Sequence, residues 1–356
     1  MEPRHGTTVH GAVLPILRPR THDGTQVMLY DHQYTPLLQC AGLHVVANLL
    51  RLGLPSFNPA ALTALIDRPE THSFHLPCGE MTITLQDVAM LLGLPIRGNP
   101  VIGPAVSDGW RARADEFLGS PLLEPEPGRH GRVSGVRLLW LRSTFGSCPD
   151  DADEATVTFH CRAWVLHMFG SVLFPDDTGD AASWIWGSAV LVFLYRQLCE
   201  ACRRHAPTST MSGCIFLLQL WMWSRLPLGL TVAYLWDNVS SPYATTQRAY
   251  VDYSNELDVL SPSTVVWEPY LDEQVLVMPL NPMCGRDEDL WSVSCPLICF
   301  YAVEIHLPHR VARQFGLLQS WPLRRFDRVR QRKVTDFSHH HRDMVDWWRH
   351  SLDGNA

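Results

Sequence analysis

Apolar positions in this chain recur mostly at helical spacing, and one stretch shows the pattern most clearly. Leu85, Val88, Ala89, Leu91 and Leu92 share one face of a predicted helix. Thr84 and Asp87 have the spacing of a capping box at its start, Gly93 suits its end, and Pro95 prevents its continuation. Just before it, His72, Phe74 and Leu76 alternate with polar or small neighbours, Cys78-Gly79-Glu80 can turn the chain, and Met81 and Ile83 resume the alternation. That pattern predicts a short hairpin feeding a capped helix.

The same reading extends along the chain. Pro36, Leu37 and Leu38, then Leu43, Val46, Ala47 and Leu50, predict one core helix closed by Gly53 and Pro55. Asn58 caps a second, with Pro59 in its first turn and Leu62, Leu65 and Ile66 inward. Residues 97–135 read as a long surface excursion with a short helix inside, around Trp110 and Phe117. Order resumes at 136–145, an acidic interruption occupies 150–154, and 159–174 is helical. Residues 184–202 form a helix whose first half is apolar nearly all round, which places it at the centre, with Gly187, Ser188 and Ala189 permitting close backbone approach. A buried helix at 211–226 and a more polar one at 246–258 follow. Val265, Val266 and Trp267 suit a short strand, 291–304 a strand or buried turn followed by a helix, and Pro308 a break before VARQFGLLQ. Met344, Val345, Trp347 and Trp348 can dock a terminal helix.

The expected fold class is mainly α: a single large helical domain with small β hairpins, α+β in a minor part. A strand-helix rhythm is absent, which argues against a Rossmann-like or barrel sheet. The expected organisation is a flexible arm over 1–33, the domain over 34–348, and a tail over 349–356.

Composition refines this picture. With 356 residues, 46% of them hydrophobic, the chain can bury a substantial core. The formal charge of −7 gives no global signal for nucleic-acid binding. Lys333 is the sole lysine. Ten cysteines in mostly apolar surroundings, with no secretory hydrophobic region at the start, point to buried free thiols in a reducing compartment. The most apolar stretch, 214–236, carries Arg225 and Pro227 near its middle, so it reads as core elements rather than a membrane span.

Several groups invite chemistry. Cys199, Cys202 and His205 lie at helical spacing for zinc, but a closed site needs a fourth ligand, and a helical core accounts for the thiols without metal. His339, His340 and His341 with Asp336 and Asp343 form a weaker set, better read as a polar tail. Asp176, Asp177 and Asp180 suit helix capping as well as metal binding. Glu304 and His306 are an acid-base pair without a nucleophile, and equally a loop anchor through Arg310 or Arg313. No GxxxxGK[ST], HExxH or GxSxG motif occurs. Arg324, Arg325, Arg328, Arg330, Arg332 and Lys333 form either a nucleic-acid contact or nuclear-import patch, or the exposed face of a helix turning Leu323, Phe326 and Val329 inward.

The chain resembles the plant mobile domain family, often labelled aminotransferase-like. FHLPCGEMTITLQDVAMLLGLPIRG at 74–98 carries the resemblance, with YTPLLQCAGL at 34–43, SWIWGSAVLVFLYRQLC at 183–199, IFLLQLWMW at 215–223 and PLICFYAVEIHLPHRVARQFGLLQSWP at 296–322. It implies a plant nuclear protein with a non-catalytic role, and the residues themselves lead us to expect no cofactor, metal or membrane span. It further implies a scaffold that acts with a phosphatase-like protein partner in transposon silencing, genome stability or meristem maintenance. A pyridoxal enzyme needs an amine, and Lys333 in its arginine-rich run lacks a recognisable cofactor pocket. Two departures from the family pattern stand out: a brief Asp67-Arg68-Pro69-Glu70 before the hairpin, and a missing helical segment between LFPD and SWIWG. The expected partner contacts are Trp110, Phe117, Trp347 and Trp348. The alternative is a nucleic-acid-binding protein derived from or encoded by a transposable element, using the basic run.

Overall fold

A computed structural model describes residues 16–19, 28–53, 57–67, 72–102, 109–122, 136–174, 186–201, 210–228, 246–271, 285–300, 302–319 and 336–352. Strand β1 (Arg18–Pro19) precedes helices α1 (Thr35–Cys40), α2 (His44–Leu52) and α3 (Pro59–Ile66). The single helix expected over 36–50 is therefore two. The chain breaks at Gly42, whose φ of 69° is left-handed, and this lets α2 turn a new face inward. Asn58 caps α3 as expected, its side-chain oxygen accepting from the Ala61 amide.

The hairpin follows as β2 (Phe74–Leu76) and β3 (Gly79–Met81), antiparallel, with Phe74 opposite Met81 and Leu76 opposite Gly79. Helix α4 (Leu85–Leu92) has the complete capping box, with Thr84 and Asp87 satisfying each other's backbone amides, and Gly93 ends it in the left-handed conformation. The fragment of α5 (Trp110–Leu118) lies in the excursion, and α6 (Leu138–Phe145) and α7 (Glu154–Met168) come next. The acidic stretch does interrupt the helices, and it also starts the next one: Asp153 accepts from the Thr156 amide and caps α7, so its charge favours the helix start.

Helices α8 (Trp186–Ala201) and α9 (Ile215–Arg225) form the centre, with β4 (Thr210–Met211) between them pairing parallel to β1 over two residues. Leu191, Leu194, Leu218 and Trp221 have no exposed surface. Helix α4 packs on both, and α10 (Thr246–Asp258) packs on α3, where Asn58 donates to the Tyr253 hydroxyl at 2.9 Å.

Two expectations are corrected in the last third. Residues 265–267 make bends rather than a strand, because the Val266 amide donates to a helix-end carbonyl, that of Arg225, at 2.9 Å. The strand expected within 291–304 is present, but among the described residues a second strand follows it in place of a helix: β5 (Cys295–Cys299) and β6 (Ala302–His306) form an antiparallel hairpin buried against α8. Pro308 then starts a run of 3-10 turns, Pro308–Phe315. A single turn α11 (Phe337–His340) leads to α12 (Arg342–Leu352), which packs on β5. The protein is mainly α, with its strands confined to short pairs among the described residues. No helix among those residues is long and apolar enough to cross a membrane.

Candidate functional site

The capped helix positions a buried polar layer. Asp87 sits on the first turn of α4 with no exposed side-chain surface. One carboxylate oxygen accepts from the Thr84 amide at 2.7 Å and its hydroxyl at 2.8 Å. The other accepts from Arg225 Nη2 and from the Tyr270 hydroxyl, both at 2.6 Å. Arg225, at the end of α9, also donates to the Trp267 carbonyl and lies 5.4 Å from the Tyr270 ring centre. Burial alone would lower the Arg225 pKa, but the Asp87 charge, together with Tyr270 and the hydrogen bonds to both, raises it and holds the guanidinium ionised. Burial, reinforced by the same carboxylate, raises Tyr270 well above the usual phenol value. The sequence shows Arg225 only as an interruption of an apolar run; its partner lies 138 residues away.

Next to this pair, His306 is held by both ring nitrogens. Nδ1–H donates to the Val293 carbonyl at 2.9 Å, and Nε2 accepts from the Leu85 amide at 3.3 Å, which fixes the neutral tautomer. Burial lowers its pKa to about 4. Glu304, on the same face of β6, lies 3.9 Å from His72 and 3.7 Å from Arg196. His72 stacks on Tyr195 with ring centres 4.1 Å apart, and the Tyr195 hydroxyl donates to the Ile83 carbonyl. Glu304 and His306 thus face different partners and join β6 to the hairpin and α4. Arg310 binds the Glu80 carboxylate of β3, and Arg313 the Cys78 carbonyl just before that strand.

The outer edge of β3 is covered by side chains from 308–319. Gln314 donates to the Thr82 carbonyl at 2.9 Å and accepts from the Thr82 amide at 2.8 Å. Gln319 donates to the Glu80 carbonyl at 3.1 Å, and Arg313 to the Cys78 carbonyl at 2.8 Å. The Glu80 carboxylate takes Arg310 and the Ser73 hydroxyl, each at 2.6 Å.

Past α4, the loop 93–98 is a second anchor. The Pro95 carbonyl accepts from the Gly187 amide, where a Cβ on Gly187 would come within 2.7 Å of that oxygen. Arg97 Nη2 donates to both Asp289 carboxylate oxygens at 2.6 and 2.7 Å, Nε to Asp287 at 3.3 Å, and Nη1 to the Leu352 carbonyl at 3.1 Å.

The sequence-derived contact residues separate in space. Trp348 is buried, and its indole N–H donates to the Gly98 carbonyl at 3.0 Å, so it pins α12 to the core. Trp347, one position earlier, is half-buried. Phe117 is half-buried beneath the Arg162 guanidinium, 4.6 Å from its ring centre. Trp110 is half-buried at the start of α5. The basic residues Arg324, Arg325, Arg328, Arg330, Arg332 and Lys333 lie outside the described residues, as do Cys202, His205, Asp176, Asp177 and Asp180. Cys199 is buried, and no group of three potential metal ligands occurs among the described residues. Asp336 caps α11, and His341 bonds the Phe300 carbonyl at 3.0 Å, so both serve the fold of the terminal segment.

The plant mobile domain family model matches residues 47–356. A serine/threonine-protein phosphatase 7 long form homolog of Arabidopsis thaliana is 38% identical over 74% of this chain and 22% of its own length. Protein MAIN-LIKE 1 of the same plant is 35% identical, over 80% of this chain and 59% of its own. Protein MAINTENANCE OF MERISTEMS, also from that plant, is 32% identical over 76% of this chain and 60% of its own. The chain thus covers less than two thirds of each of these relatives. No solved structure matches it.

Proposed function

The chain belongs to the plant mobile domain family, and we propose on that premise that it is a non-catalytic, nuclear protein-interaction scaffold serving meristem maintenance, transposon silencing or genome stability. The observation that carries this reading is how the buried polar groups are used. Asp87 accepts four hydrogen bonds from within the chain, and both nitrogens of His306 are engaged. Groups spent in this way hold elements together and are not presented to a substrate. Names of relatives that refer to meristem maintenance support the biological setting.

The proposed partner is a phosphatase-like protein, and the proposed contacts are the half-buried Trp110 and Trp347, since partly exposed tryptophans are frequent interface anchors. Affinity purification of the tagged chain from plant nuclei tests this. A phosphatase-like or chromatin-associated protein is expected to co-purify, and Trp110→Ala with Trp347→Ala should reduce its recovery while leaving the melting temperature unchanged. A folded bait that recovers neither class of partner defeats the scaffold reading. Binding to nucleic acid that weakens steeply with salt, and is lost when Arg325, Arg328 and Arg332 become glutamine, would replace it with the nucleic-acid alternative.

A further inference from the structure

Gly79 and Met81 face their partners on β2, while Cys78, Glu80 and Thr82 turn their backbone groups the other way. On that outer side stand Arg313, Gln319 and Gln314, one for each of the three residues. The Gln314 carboxamide gives and takes a hydrogen bond at the one residue Thr82. A residue of a neighbouring strand would make the same two bonds. The three side chains stand in for a missing strand.

The segment that supplies them is built weakly. Pro308–Phe315 is a run of 3-10 turns with Val311 out of helical geometry at φ −122° and ψ 36°. Runs beyond about 3–4 residues are uncommon because the hydrogen bonds are poorly aligned. It buries Pro308, Val311, Ala312 and Gln314, but Leu317 and Leu318 between the two glutamines are 61% and 100% exposed. A segment with few apolar anchors and long polar tethers opens at lower free energy than the core beneath it.

We propose that residues 308–319 are a detachable strap, and that the β3 edge beneath it is a strand-acceptor site for an extended peptide of a protein partner. An uncovered edge offers the Thr82 amide and the carbonyls of Cys78, Glu80 and Thr82 at alternate residues, which is the template for strand addition. Side chains can be exchanged for a strand without leaving those groups unpaired, so displacement preserves the hydrogen bonds of the edge. The acceptor half rests on the scaffold reading; the detachment half does not.

Hydrogen exchange of the full chain across a urea series tests both halves. The Thr82 amide, which the strap holds, and the amides within 308–319 are expected to exchange about tenfold or more faster than those of α9, with a shallower urea dependence. Exchange of these segments on the same isotherm as α9 would mean that they open only in global unfolding, and would end the proposal. A short peptide of alternating valine and threonine with terminal lysines is then added. It should slow the Thr82 amide and speed the strap, whereas a proline-substituted copy should do neither. No slowing, or equal slowing by the proline copy, removes the acceptor site. Partner recovery from nuclei is a separate measurement, so this failure is distinguishable from failure of the scaffold reading.

Discussion

Arg225 Nη2 lies 2.6 Å from Asp87 Oδ1, and neither side chain has any exposed surface. The pair joins the end of α9 to the first turn of α4, and Tyr270 closes over it from a third segment. Breaking such a pair strands one charge in the interior and costs about 3–5 kcal/mol, far more than the pair contributes over an apolar replacement. Arg225→Met is therefore expected to lower unfolding free energy by about that amount. Asp87→Asn combined with Arg225→Met should recover part of the loss, because no unpaired charge remains. Urea denaturation of the single and double variants measures the difference; equal stabilities for the two would show that the Asp87 charge is not the cause.

His306 gives the stability a pH dependence with a defined sign. Burial holds its folded pKa near 4, against about 6.5 in an unfolded chain, so the unfolded state takes up the proton first. The stabilisation is complete above about 6.5, declines as pH falls towards 4, and changes no further below that. Its full extent is about 3 kcal/mol. His44, His160 and His341 are also lowered, chiefly by burial, and act in the same direction. His306→Gln should flatten the slope over that window in a pH series of thermal melts, and an unchanged slope would assign it to the other histidines.

Trp348 and Trp347 are expected to separate cleanly. Trp348→Phe leaves the Gly98 carbonyl without its indole donor and should cost about 1–3 kcal/mol. Trp347→Ala, on the outward side of α12, should cost within about 0.5 kcal/mol. Melting temperatures of the two variants check this, and a larger loss at Trp347 would reverse the assignment of the inward face.

Gly187→Ala should destabilise by about 1–3 kcal/mol, since the new methyl would overlap the Pro95 carbonyl oxygen to which the Gly187 amide is already bonded. A neutral result in denaturant titration would mean that α8 and the 93–98 loop can move apart without loss.

Local features of the fold were legible because their signals lie within a few residues of one another. Thr84, Asp87 and Gly93 predict a capped helix without reference to anything distant, and α4 has those caps. Asn58 and Pro59 do the same for α3. The pairing of β5 with β6 was less accessible: apolar residues run through both, and short apolar runs do not distinguish strand from helix. The polar layer was least legible. Glu304 and His306 stood out as a pair, but Asp87 looked like a cap and Arg225 like an interruption, and only tertiary contact joins them. Gln314 and Gln319 gave no signal, since an amide in a loop segment is ordinary until a strand edge is found beneath it.

The Arg97 hydrogen bond to the Leu352 carbonyl spans 255 residues of chain. During synthesis the loop that carries Arg97 leaves the ribosome long before its acceptor exists. At roughly 5–20 residues per second the wait is on the order of tens of seconds. Through that interval Trp348 is also absent, so the Gly98 carbonyl lacks its indole donor, and β5, once made, has its α12-facing side uncovered. The nascent protein therefore passes through a state with the hairpin and α4 made and one side of its interior open. Apolar surface exposed in that state is where association with other chains is most favoured until α12 is made.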